Sequence, residues 1–164
     1  MASVSGYQLA QINVGRLLAP VDHPQIADFA ANLDRINALA DSQPGFVWRL
    51  QGEGGNANDI QPKPDEPLFA INLSVWTDLD ALAGFVYRSA HRDIMRRRRQ
   101  WFAHMETCMT LLWVPAGHTP TPAEGLERLA IFERLGPTAE AFSFRYPFPS
   151  PDAQPVQPIL DKCA

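Results

Sequence analysis

FAINLSVW, residues 69–76, alternates along its whole length. Phe69, Ile71, Leu73 and Val75 fall on one side of an extended chain, and Ala70, Asn72, Ser74 and Trp76 on the other. The first set is a core face, expected to pack on helices. The second carries a tryptophan and short polar groups without charge, a composition that suits a semi-polar cavity better than open solvent. Thr77-Asp78-Leu79-Asp80 then supplies a cap for a helix running to about Tyr87.

Working outward from this strand, the flanking segments fall into a simple order. Tyr7 to Val14 reads as a first, weakly alternating strand. Asp22-His23-Pro24 gives a cap and an early proline, and Ile26, Phe29, Ala30, Leu33, Ile36, Asn37 and Ala40 recur at helical spacing. Pro44-Gly45 ends that helix before a second strand, Phe46 to Leu50. Residues 51–67 are rich in Gly, Asn and Pro and form a long loop, a candidate lid. Met109 to Pro115 is a fourth strand, and Thr121-Pro122-Ala123-Glu124 is a capping box opening a helix that ends at Gly136-Pro137. Ala141 to Phe144 reads as a short edge strand.

The order β-α-β-β-α-β with an added helix, short connections and right-handed crossovers predicts a ferredoxin-like α+β fold: an antiparallel sheet with helices on one face. The other face would be left uncovered and would carry Asn72, Ser74, Trp76 and either Trp48 or Arg49. Such faces invite a partner. Two of them closing together would make a homodimer, a dimeric α+β barrel. The domain is expected to span residues 1–145. Residues 146–164, with Pro147, Pro149, Pro151, Pro155 and Pro158, read as an extended or disordered tail.

Composition bounds the function. A chain of 164 residues with 46% hydrophobic and 20% charged residues is one globular domain with a real core. A net charge of −4 argues against nucleic-acid binding. No run approaches ~18 consecutive apolar residues, so no membrane span or membrane partner is expected, and a soluble, cytoplasmic protein is. Cys108 and Cys163 have no metal-ligand or disulfide-framework spacing. The nucleophile elbow, the phosphate-binding loop and the HExxH and CxxC patterns are all missing.

SAHRDIMRRRRQWFAH, residues 89–104, is the stretch richest in chemistry. At about 100° per residue it divides into a solvated face of Arg92, Asp93, Arg96, Arg97, Arg99 and Gln100 and an apolar stripe. The stripe holds His91, Ile94, Met95, Arg98, Trp101, Phe102 and Met105. An imidazole in an apolar stripe suits a general base, a proton shuttle or an axial ligand. The bland alternative is a histidine satisfied by backbone groups at a helix start. A guanidinium there needs a partner, either an acid such as Asp78, Asp80 or Glu124 or an anionic group on a ligand. His91 and Arg98 are the candidate catalytic residues. Trp76, Asn72, Ser74, Trp48, Arg49, Trp101, Phe102, Trp113 and Asn37 are the candidate substrate-binding residues, each also readable as core or as a structural amide. His118 reads as a loop or subunit contact, and Asn13 as a structural amide.

Several strings together are similar to a known family. INVGR at 12–16, INALAD at 36–41, PGFVWRL at 44–50 and NLSVWTDLDAL at 72–82 are four of them. FVYRSAHRDIMRRRRQWF at 85–102, LLWVPAGHTPTPAEGLERL at 111–129 and GPTAEAFSF at 136–144 complete the set. They resemble the DUF3291 family of the dimeric α+β barrel superfamily, over about Tyr7 to Phe144. The superfamily resemblance implies a range: cofactor-free monooxygenases, isomerases, stress-response barrels and haem-using enzymes. Fold alone does not choose among these.

The residues favour a cofactor-independent enzyme of monooxygenase, isomerase or cyclase type acting on a small aromatic or polyketide-like molecule. His91 would take a proton, while Arg98 and Asn72 would steady the anion. One alternative is a haem protein with His91 as axial ligand. Another is a non-catalytic, stress-related dimer that binds a small hydrophobic ligand.

Overall fold

The computed structural model describes residues 5–153. Four strands, β1 (Tyr7–Arg16), β2 (Phe46–Arg49), β3 (Phe69–Trp76) and β4 (Met109–Pro115), form one antiparallel sheet in the order β2-β3-β1-β4. This is the order of a ferredoxin-like βαββαβ unit, with β1 and β3 central. The α+β expectation holds. The helices are α1 (Ala27–Asp41), α2 (Leu79–Arg88), α3 (His91–Arg96) and α4 (Pro122–Leu135).

Local chemistry sets these boundaries. A short 3₁₀ turn, Pro24–Ile26, precedes α1, and the His23 side chain caps it by accepting from the Gln25 N–H at 3.1 Å. Asp78 caps α2 by accepting from the Ala81 N–H at 2.8 Å. Thr121 and Glu124 make the reciprocal capping box of α4, with Pro122 at its first turn. His118 Nε2 also meets Glu124, at 2.9 Å, so this histidine belongs to the α4 cap.

Register decides which residues share a face. Leu9, Gln11, Asn13 and Gly15 of β1 pair with Trp76, Ser74, Asn72 and Ala70 of β3. The side chains of this face meet α1 and α2: Leu9, Trp76 and Leu111 cluster with Ile36, Ala40, Leu82 and Phe85. The opposite face packs Ile12, Val14, Phe69, Ile71 and Leu73 against Leu129 of α4. At Gly125 a Cβ would stand 2.7 Å from Ile12 Cδ1 and 2.9 Å from Leu73 Cδ2, so α4 lies hard against that face.

This corrects one expectation. The Asn72–Ser74–Trp76 face is not the uncovered one. It lies beneath this chain's own helices, and the added helix α4 sits on the other face. Closure of two sheets through the Asn72 face would therefore need space that α1 and α2 already fill.

The segment after α3 also differs from one continuous helix. α3 ends at Arg96 and a 3₁₀ turn, Arg98–Gln100, follows. The chain is then tied to the end of β1: the Leu18 N–H donates to the Trp101 carbonyl and the Ala103 N–H to the Arg16 carbonyl, at 2.8 and 2.9 Å. A continued helix would carry Trp101 and Phe102 away from these bonds. The expected edge strand at 141–144 reduces to two isolated antiparallel bridges, Phe142 with Leu111 and Ala141 with Thr138. The start of the proline-rich segment packs on the body: Trp113 Nε1 donates to the Phe148 carbonyl at 2.9 Å, and Asp152 accepts from the Gly6 N–H at 2.7 Å. Residues 154–164 of the expected tail lie outside the described residues. Among the described residues no helix is long and apolar enough to cross a membrane.

Candidate functional site

Between the helix-covered sheet face and α1, α2 and α3 lies a cavity of about 200 Å³. Its floor is made by β1 and β3, through Gln11, Asn13, Asn72, Ser74 and Trp76. Its walls come from α1 (Asn37 among others), from Leu82, Phe85 and Val86 of α2, and from the Arg-rich segment. His91, Ile94, Met95, Arg98, Trp101 and Phe102 all line it. Six of the seven residues of the apolar stripe thus converge on one cavity. Met105 departs and packs against the cluster on the α4 side.

The floor is polar where two strands face each other. Asn13 and Asn72 pair across β1 and β3. Gln11 and Ser74, the next pair, are 7% and 6% exposed, and Gln11 Nε2 donates to Ser74 Oγ at 3.1 Å. Trp76 Nε1 donates to the same oxygen at 2.9 Å. A run of rings links floor to wall. Phe46 meets Trp76 edge-on at 5.4 Å, Trp76 stacks on Phe85 at 5.3 Å, and Phe85 lies 4.8 Å from the His91 ring.

His91 sits at the first turn of α3, where its N–H donates to Ser89 Oγ at 3.2 Å. Its Nδ1 is buried and has no hydrogen-bond partner. It is the only buried side-chain nitrogen or oxygen without a partner among the described residues. Burial pushes the imidazole below its ordinary value of 6.5, and the Val86 backbone offsets this only in part. The lowered value favours the neutral ring at pH 7, the form that can accept a proton.

Arg98 donates to the Val14 carbonyl at 3.3 Å and lies over the Phe102 ring, 5.6 Å from its centroid. Among the described residues no carboxylate stands within ion-pair distance of it. Of the acids offered as partners, Asp78 caps α2, Glu124 meets His118, and Asp80 is not within ion-pair distance of Arg98. Arg97, by contrast, pairs with Asp28 at 2.7 Å and covers the Trp101 ring at 4.7 Å. Its charge is satisfied outside the cavity.

Two of the sequence candidates lie elsewhere. A β-bulge between Phe46 and Trp48 puts Phe46 and Arg49 on the cavity side and turns Trp48 to the α4 side, where it packs against Ala10, Val75, Leu112 and Val114. Trp113 shares the cavity's sheet face but lies beyond the cavity, held by Phe142 and Phe148. Arg49 lines the cavity, yet its donors are committed: two to Asp41, at 2.7 and 3.2 Å, and one to the Gly55 carbonyl at 2.7 Å. That last bond ties the 51–67 loop over the site, where Ala57 and Asn58 join the lining. Gln11 and Phe85 were not singled out from sequence. Gln11 had one signal available, a polar residue of the same parity as Asn13 within an otherwise apolar strand.

The cavity does not fit a haem. Its volume lies below the ~300–1,000 Å³ of most small-molecule pockets, which suits a ligand of one or two fused rings and not a porphyrin. Among the described residues no group of three His, Cys, Asp or Glu could hold a metal ion.

Among curated protein sequences none matches the chain. Several solved structures are similar. SnoaB, a cofactor-independent oxygenase from Streptomyces nogalater, matches at 20% identity over 68% of this chain and 95% of its own, with a TM-score of 0.45. NE2512 of Nitrosomonas europaea, a protein of unknown function, matches at 13% identity over 71% and 96%, with a TM-score of 0.45. PA3566 of Pseudomonas aeruginosa matches at 12% identity over 71% and 100%, with a TM-score of 0.46. The sequence profile that matches the chain, over residues 8–158, is that of the family described as a domain of unknown function (DUF3291), and the chain belongs to that family.

Proposed function

We propose that this protein is a small-molecule enzyme that works without a bound cofactor. It takes a flat aromatic or polyketide-like substrate into the cavity and removes a proton from it with His91. The observation that carries this reading is the buried Nδ1 of His91, which has no partner among the described residues, in a cavity that also holds an arginine with no acid of those residues within ion-pair distance. Leaving a buried polar atom unpaired costs about 1–3 kcal/mol, a cost that a ligand partner would relieve.

The chemistry follows from these groups. A C–H bond next to a carbonyl or phenol breaks, its proton moves to His91, and its electron pair delocalises onto the substrate oxygen. The groups able to meet that oxyanion are the Arg98 guanidinium and the amides of Asn13 and Asn72, which make no side-chain hydrogen bond among the described residues. Return of the proton to a different carbon is an isomerisation and regenerates neutral His91. Reaction of the carbanion with dioxygen converts CH2 to C=O and releases one water.

The test uses 2-tetralone, a bicyclic aromatic ketone with an acidic benzylic CH2, in D2O. The expected result is loss of the C1 proton signal by NMR, faster with protein than in buffer, and a return to the buffer rate in His91→Ala. Binding of 2-tetralone with equal exchange in the two proteins would overturn the catalytic role and leave a ligand-binding protein.

A further inference from the structure

Ser74 has a feature that the proposed reaction does not use. A serine hydroxyl has two acceptor lone pairs and one proton to donate. Both acceptor positions of Ser74 Oγ are taken, by Gln11 Nε2 at 3.1 Å and by the indole N–H of Trp76 at 2.9 Å. The indole nitrogen can only donate, so this assignment of roles is fixed on the Trp76 side. The Ser74 proton then has one remaining direction. Among the described residues no protein acceptor receives it, and Ser74 lines the cavity. The residue is 6% exposed, so bulk water does not satisfy it either.

We infer that Ser74 is a fixed hydrogen-bond donor on the cavity floor, aimed by Gln11 and Trp76, and that the ligand places a carbonyl or phenolic oxygen there. This rests on the cavity being a ligand site, as proposed above. It adds a requirement on the ligand: an oxygen acceptor seated against β3 beside the Trp76 ring. Gln11 and Trp76 act through Ser74 and are positioning residues. A buried donor that finds no acceptor costs more than the net value of the bond it would make. The site should therefore reject the hydrocarbon analogue of a ketone that it accepts.

The experiment compares 2-tetralone with tetralin, the same bicycle without the oxygen, by titration calorimetry on the full chain. Wild type is expected to prefer the ketone by about fivefold, the value of one ordinary hydrogen bond. In Ser74→Ala the preference should fall, because Arg98, Asn13 and Asn72 alone are then left to meet the oxygen, while tetralin still binds. Ser74→Cys, which keeps the shape with a weak donor, should also lose most of it. Trp76→Phe frees one lone pair, lets the hydroxyl turn, and should lower the ketone preference without equal loss of tetralin affinity. A purely structural role would weaken both ligands alike. A fivefold preference that survives in both Ser74 variants overturns the inference and leaves the cavity reading standing. Failure of wild type to bind either compound overturns the cavity reading, and the inference with it.

Discussion

The ring of Phe102 lies directly on the backbone of Gly15: a Cβ at Gly15 would stand 2.5 Å from Phe102 Cδ1 and 2.7 Å from Cε1. Glycine is required here by close approach. The Arg98 guanidinium lies over the same ring and reaches the Val14 carbonyl, so moving Phe102 also moves Arg98. Gly15→Ala is expected to destabilise the fold by about 1–3 kcal/mol, the usual cost of overpacking. It should also weaken 2-tetralone binding beyond what the stability loss explains. Urea midpoints together with calorimetric affinities check both parts; an unchanged midpoint would show that the ring yields freely.

The imidazole of His91 makes stability depend on pH in a defined direction. Burial lowers its folded-state value below 6.5, whereas the unfolded chain retains the ordinary value. Below about 6.5 the unfolded state therefore binds a proton that the folded state resists. Stability is full above that value and falls as pH drops toward the folded-state value, then levels off. Urea unfolding at pH 7.5 and 5.5 should show a loss for wild type and a smaller loss for His91→Phe. Equal losses would assign the slope to other groups.

Much of the site was legible because periodicity survives irregular backbone. The stripe from His91 to Phe102 was derived for one helix. The chain instead breaks after Arg96 into a 3₁₀ turn, whose angular step is near enough to that of an α-helix to keep Arg98, Trp101 and Phe102 on the same side. Strand parity likewise grouped Asn72, Ser74 and Trp76 correctly.

What parity could not say is which face the helices cover. An apolar face looks like the natural seat for helices, but here helices lie on both sides, and the semi-polar face holds the cavity. The choice between Trp48 and Arg49 depended on a bulge at Val47 that no residue in FVWR announces. The role of Gln11 appears only once register sets it opposite Ser74. Trp113 was placed by contacts to Phe142 and Phe148, far along the chain.

Arg49 joins three parts of the molecule: Asp41 at the end of α1, its own strand β2, and the Gly55 carbonyl of the long loop. Its side chain is 11% exposed, so these bonds face little competition from water. Charge-assisted bonds of this kind are worth about 1.5–3 kcal/mol in total. Arg49→Gln should release the loop before it unfolds the sheet. Limited proteolysis should then cut within residues 51–67 much faster than in wild type, at a temperature where circular dichroism is unchanged. Equal cutting rates would mean that the loop is held by its own internal bonds, such as that from the Glu53 N–H to Asp59.

The two faces of the sheet can be separated by one substitution on the side away from the cavity. Gly125 of α4 meets Ile12 and Leu73, residues whose strand neighbours Gln11, Asn13, Asn72 and Ser74 point into the cavity. A methyl group at 125 would come within 3 Å of two buried side-chain ends, which must give way or push α4 outward. Gly125→Ala is expected to lower stability by about 1–3 kcal/mol through overpacking, partly offset by the higher helix propensity of alanine. Since α4 contributes nothing to the cavity lining, ketone affinity and the tetralone-to-tetralin ratio should stay at wild-type values under conditions where the variant is folded. A loss of affinity matching that of Gly15→Ala would show that the sheet transmits strain from one face to the other, and that the cavity is set by α4 as well as by α1, α2 and α3.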